Sequence, residues 1–216
     1  MSSGLGGLWV CDDPTADVPH GRDHMTTHAS LVRMRYKPPL HATPPVAFPA
    51  EFFFTVRRSL ADADRSPALA GSLRDAGYHI GEALYGGFAE WLAERGDPAP
   101  EQLADDIFAM RVGEFFLASA WGQIAVSPLS EAVMVLDAYE WCETRAGGTH
   151  CLVSTGLFAG FFGRFANAPI AVMEVECGTS GDPHCRFLLA SEDVLGRVHS
   201  AMMRGSTYRV AASREH

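Results

Sequence analysis

What this chain has little of narrows it first. It holds a single lysine, Lys37, and its 17 Lys and Arg face 26 Asp and Glu, for a formal charge of −9 and a pI near 5.4. A phosphate backbone is held by a basic stripe, and the sequence has no Lys/Arg cluster to make one. It therefore argues against a nucleic-acid surface. No apolar run approaches the roughly 20 residues of a membrane-spanning helix, and no basic segment followed by an apolar one opens the chain. A cytoplasmic protein is the expectation. There is no G-x-x-x-x-G-K-[ST] phosphate loop, no G-x-G-x-x-G between a strand and a helix, and no G-x-S-x-G elbow. Enzymatic chemistry thus has no recognisable motif to stand on. Cysteine is scarce and odd in number: Cys11, Cys142, Cys151, Cys177 and Cys185. Five thiols without a secretory signal are a poor disulfide framework, and a cluster of them points to metal or redox chemistry.

What is present describes one globular domain with appendages. Apolar residues make up 47% of the chain and charged ones 20%, enough apolar surface to bury a core. Residues 1–50, rich in Gly, Pro, His and Thr, read as a loose arm that packs only at spots such as Trp9 and Phe48. His20, His24 and His28 would share one helical face. Gly21 and the surrounding prolines argue against a helix there, and a solvated arm is the plainer reading.

Residues 51–205 read as an α+β domain, with helices packed on an antiparallel sheet. Helical periodicity begins at Phe52 and resumes from Ser66-Pro67, a cap followed by proline at the first helical position, to Gly96. A third helix is expected over 101–121. Two hairpin strands follow within 122–141, then an apolar and therefore buried helix over 149–166. The strands "PIAVMEVEC" and "CRFLLA" flank the turn "GTSGDPH", and Ser191 caps a closing helix. Residues 206–216 read as a tail. Gly77, Gly81, Gly86 and Gly87 suggest close helix packing or a kink. With the aromatics of "GYHIGEALYGGF" they motivate a homodimer.

The densest chemistry lies in "EVECGTSGDPHCRFLLA", where Glu174, Cys177 and Cys185 sit at the facing ends of the last hairpin in the spacing E-x-x-C-x7-C. Cys151 opens the buried helix, where unpaired N–H groups favour a thiolate. Three sulfurs and a carboxylate would make a closed tetrahedral site that suits zinc, and a closed site is structural. By spacing alone the cysteines also fit buried core residues or a Cys177–Cys185 disulfide. His184 or water could replace Glu174 as ligand. Cys11 and Cys142 read as core residues, and His79 and His150 as structural histidines.

The stretch "HCLVSTGLFAGFFGRFANAPIAVMEVECGTSGDPHCRF" resembles the 4-vinyl reductase domain family: a cysteine, a glycine-containing helix, then E-x-x-C-x6–8-C-x-F. The resemblance is close over about residues 120–190, looser over "LRDAGYHIGEALYGGFAEWL", and absent from the first fifty. It implies a fold like that of the small TRAPP subunits, usually dimeric. It also implies zinc ligation by Cys151, Glu174, Cys177 and Cys185, as in the family's phenol- and xylene-sensing activators. The family's name speaks of reduction, but no hydride-cofactor motif accompanies it here.

Three functions follow from this reading: a zinc-stabilised module or sensor for a small apolar ligand, an accessory protein or enzyme of tetrapyrrole metabolism, and a dimeric interaction scaffold. The expected inner faces supply Phe108, Trp121, Val135, Phe161 and Val172 to an apolar cavity. In the phenol sensors resembled here an aromatic stands ten residues after the first zinc cysteine, and Phe161 matches it. A tryptophan of those sensors that binds the phenol hydroxyl aligns with Val135, which has no donor. A ligand larger or more apolar than phenol is therefore expected.

Overall fold

The computed structural model describes residues 50–60, 66–146 and 150–215. The readings of the arm, with Trp9, Phe48, Cys11 and the three spaced histidines, lie outside the described residues.

Helix α1 spans Ala50–Ser59, and α2 spans Pro67–Arg95. The ends of α2 follow from local chemistry. The Ser66 hydroxyl accepts from Leu69 N at 3.4 Å, Pro67 needs no donor in the first turn, and Gly96 takes the left-handed φ of 77° that stops the helix. The third helix, α3, covers Asp105–Ala118. It starts later than the periodicity suggests because Pro100–Gln102 close a separate 3-10 turn and Leu103 and Ala104 are extended. Strands β1 (Gln123–Pro128) and β2 (Met134–Tyr139) form the first hairpin. The short α4 (Cys142–Arg145) and the buried α5 (Leu152–Ala166) precede β3 (Ala171–Glu176) and β4 (Cys185–Ala190). Ser191 caps α6 (Glu192–Met203), accepting from Val194 N at 3.4 Å. Residues expected to be tail instead form α7 (Tyr208–Ala212), capped by Thr207, with Ala211 and Ala212 buried.

The sheet is antiparallel throughout, in the order β1-β2-β4-β3, so the fold is α+β. Helices cover both of its faces. Side chains alternate along a strand: Leu136, Ala138, Phe187 and Leu189 meet α2, α3 and α5 in a large aromatic core. Val135, Leu188 and Ala190 meet α6 and α7 in a smaller one.

Helix α5 lies on α2 at backbone contact. A Cβ at Gly77 or Gly81 would stand 2.0 Å from the carbonyl oxygens of Val153 or Leu157, and one at Gly156 or Gly160 would stand 1.9 or 2.1 Å from those of Arg74 or Tyr78. Only glycine fits any of these places. The α2 glycines Gly77 and Gly81, part of the case for a dimer, are thus used within the chain.

Candidate metal centre

The last hairpin is folded to bring its ends together. Residues 174 and 177 are an odd number apart, and a regular strand would send them to opposite faces. Strand β3 instead carries a bulge: Glu174 pairs with Phe187 while Glu176 pairs with Arg186. The extra residue turns both Glu174 and Cys177 toward the helical face that Cys185 and Phe187 occupy. The connecting turn winds back on Cys177, whose N–H donates to Asp182 Oδ2 at 2.8 Å and whose carbonyl accepts from Ser180 N at 2.9 Å. Gly181, at φ 101°, completes it.

Cys151 comes from the N-terminus of α5 and closes the group. Its Sγ lies 3.9 Å from Cys177 Sγ and 3.6 Å from Cys185 Sγ, and Cys177 and Cys185 are 3.9 Å apart. With Glu174, all four ligand atoms lie within 4.8 Å of one another. All three thiols are free, so no disulfide joins Cys177 to Cys185. Cys142 is also buried, but it is disulfide-bonded and so is not the free core thiol expected.

The donor set fits a tetrahedral ion. Two sulfurs bound to one zinc at about 2.3 Å stand about 3.8 Å apart, and the three observed separations bracket that value. Glu174 Oε2 accepts from Cys151 N at 3.0 Å, whereas Oε1 is buried with no hydrogen-bond partner among the described residues. A buried carboxylate oxygen without a donor is costly unless a cation meets it. His184 does not compete for the place, since its Nε2 is 3.1 Å from Asp137 Oδ1 and its ring stacks on Tyr139. His150 is mostly exposed, with Nδ1 3.4 Å from Glu174 Oε2. A Cys3Glu cluster that can hold a metal ion is therefore in place.

Protonation of the cluster follows from its crowding. Hydrogen bonding with Cys177 and then Cys185, followed by burial, pushes the Cys151 thiol up. The same bonds, from Cys151 first, pull Cys177 down. Its thiolate also lies 3.0 Å from Thr179 Oγ1. The bond with Cys151 favours a thiolate at Cys185, but hydrogen bonding to Cys177 and burial outweigh it and push the thiol up to about 12. Burial, reinforced by the neighbouring Cys177 charge, raises Glu174 to about 8. The group settles on a single charge, and a cation would displace the remaining protons.

Sequence reasoning missed the polar network beneath this cluster. Glu143, at the start of α4, is buried and accepts from Val153 N (3.0 Å), Ser154 N (2.7 Å) and Ser154 Oγ (2.5 Å). Arg57 of α1, also buried, donates through Nε to Glu143 Oε1 at 3.3 Å and through Nη2 to the His150 carbonyl at 2.8 Å. Trp141 Nε1 donates to Ser154 Oγ at 2.6 Å. Arg57 and Glu143 are 86 positions apart, and no local pattern announces the pair.

The expected ligand-binding residues divide between the two cores. Phe108, Trp121 and Phe161 are buried in the large core and Val172 packs against it. Val135 lies on the opposite sheet face, with α6 and α7. The period-two alternation of β2 turns Leu136 and Ala138, not Val135, toward the helical layer, so the five residues do not line one space. Phe161 is enclosed by rings, with Tyr85, Phe88 and Phe116 at centroid distances of 5.6, 5.6 and 5.2 Å. Trp121 is 1% exposed, yet its indole Nε1 has no acceptor among the described residues.

The segment from β2 to β4 holds all four cluster residues, and it is also the segment that matches a known family. Residues 133–190 match the model of the 4-vinyl reductase domain. The resemblance read from the sequence is thereby found by an independent comparison. Among solved structures, the phenol-responsive sensory domain of the transcription activator PoxR, with phenol, is 16% identical. Its TM-score is 0.52, with 75% of this chain and 85% of that one covered. A trafficking protein particle complex subunit 3 from Naegleria fowleri, covalently bound to palmitic acid, is 14% identical, with a TM-score of 0.49 and coverage of 65% and 93%. A vinyl-4-reductase family protein from Methanocaldococcus jannaschii is 16% identical, with a TM-score of 0.44 and coverage of 67% and 82%. No curated protein matches the chain. Among the described residues, no helix is long and apolar enough to cross a membrane.

Proposed function

We propose that this chain is a zinc-stabilised domain that binds a small, largely apolar molecule in its helical layer. The observation that carries the ligand reading is the unmet Trp121 N–H, buried beside Phe53 and Trp141 in an aromatic core. A buried donor without an acceptor is destabilising, and an aromatic guest with one oxygen would satisfy it in surroundings suited to such a guest. This revises the expectation of a ligand more apolar than phenol, which rested on Val135. The phenol bound by the PoxR sensory domain supports the reading by analogy of fold.

Zinc is the ion favoured by three thiolates and one carboxylate. Held by Cys151, Glu174, Cys177 and Cys185, it would supply a cross-link between α5 and the β3–β4 turn, with no place left for a substrate. A homodimer belongs to the same proposal. It is supported by the exposed Ile107, Met110 and Leu117 of α3, and sedimentation at micromolar concentration checks it.

The ligand test is thermal. A panel of phenols, other aromatics and fatty acids is titrated against the zinc-loaded protein. A binder at a hundred times its Kd adds about 2.7 kcal/mol, which raises Tm by several degrees. Trp121→Phe should weaken an oxygen-bearing aromatic by tenfold or more while leaving a pure hydrocarbon unaffected. If no compound shifts Tm, the core is filled by its own rings and the scaffold reading replaces this one.

A further inference from the structure

Arg57 and Glu143 do not touch the cysteine cluster, but they hold the backbone on either side of Cys151. Arg57 Nη2 binds the His150 carbonyl, one residue before it, and Glu143 binds the N–H groups of Val153 and Ser154, two and three residues after it. The ion pair between them closes this frame, with Arg57 and Glu143 side chains each 1% exposed. Burial raises the Glu143 carboxyl, opposed by its Ser154 and Val153 hydrogen bonds and by Arg57.

The frame has a consequence because its two halves come from different parts of the chain. Glu143 lies within the segment 133–190 that matches the family model, whereas Arg57 is carried by α1, outside it. Helix α1 is docked by Phe54, which is buried, by Phe53 edge-on to Trp121 at 6.3 Å, and by Arg57. Undocking α1 would leave Glu143 as a buried charge without its counter-ion, which is strongly unfavourable. It would also release the His150 carbonyl and with it the backbone that aims Cys151.

We propose that Arg57 and Glu143 are positioning residues for the metal centre, and that they couple metal occupancy to the docking of α1. The coupling rests on the zinc reading of the cluster. Linkage makes it reciprocal: whatever α1 docking adds to metal affinity, bound metal adds to α1 docking. Outer partners of metal ligands commonly change affinity by about 10- to 100-fold, and an effect of that order is expected here.

The experiment has two arms, preceded by the zinc content of the unmodified protein. In the first, zinc affinity is measured by competition with a chromophoric chelator for wild type, Arg57→Met and Glu143→Gln. Both variants should bind zinc at least tenfold more weakly. In the second, amide exchange is followed in unmodified protein with zinc bound and after chelation. Exchange should rise in α1 and the first turn of α5 while α6, on the far face of the sheet, keeps its protection. This arm needs no variant and so survives any failure of one to fold. Zinc affinity within twofold of wild type in a folded Arg57→Met protein overturns the coupling, as does α1 exchange that ignores chelation or rises equally everywhere. A protein that takes up no zinc removes the metal reading and the coupling with it, whereas one that binds zinc without these responses loses the coupling alone.

Discussion

At the scale of single residues, Glu174 divides its two oxygens: one accepts the Cys151 N–H that opens α5, and the other is buried with no donor among the described residues. Such a carboxylate can hold both a helix end and an ion. Cys177 has the lowered thiol of the three and is the natural first ligand. Cys177→Ala should take zinc from one per chain to none, read by elemental analysis. It should also lower Tm by about 10 °C or more, because the energy of a structural metal is folding energy. The ligand residues were legible in the sequence because cysteines and glutamate near a glycine-rich turn form a short pattern. The positioning residues were not. Glu143 looked like one more surface carboxylate, and its partners Arg57 and Ser154 became neighbours only through the tertiary fold.

At the scale of elements, the glycines of α2 divide into two kinds that a sequence cannot tell apart. Gly81 faces the carbonyl of Leu157, whereas Gly86 has open space around its Cβ position. Gly81→Ala should cost about 3 kcal/mol or more through forced helix separation. Gly86→Ala should add up to about 1 kcal/mol through helix propensity. Chemical denaturation of the two variants reads both magnitude and sign. Most element boundaries were legible because caps and stop signals are local: Ser66-Pro67, Gly96 and Ser191 act on their own neighbours. Two features were not. Helices α4 and α7 are too short to show a period. The β3 bulge is a matter of pairing, which only the partner strand defines.

At the scale of the whole molecule, a polar network ties α7 and three strands together on the sheet face away from the cysteines. Arg186 of β4 grips Asp137 of β2 through two nitrogens, at 2.6 and 2.9 Å. It also donates to Tyr208 of α7, which in turn donates to Glu176 of β3. Burial alone would raise the Asp137 carboxyl, but Arg186, with help from His184, holds it below its ordinary value. A depressed carboxyl contributes stability above its unfolded pKa, near about 4, and loses it as pH falls through the folded value. Asp137→Asn should therefore destabilise by about 2 kcal/mol at pH 7. The gap from wild type should close progressively below about pH 4 in a series of denaturation curves.

The four glycines between α2 and α5 also decide what kind of motion the domain can make. With each Cβ-less position set against a carbonyl of the other helix, α5 cannot slide gradually along α2. A one-residue shift drives side chains into backbone, and the next matching notch lies four residues away, about 6 Å at about 1.5 Å per residue. The two helices are geared. Cys151 caps one end of α5 and Phe161 lies further along it, so an ion gripped at the tip and a guest pressed against the shaft would both act on α2 as on a single rod. The response they draw from it would be stepped rather than graded.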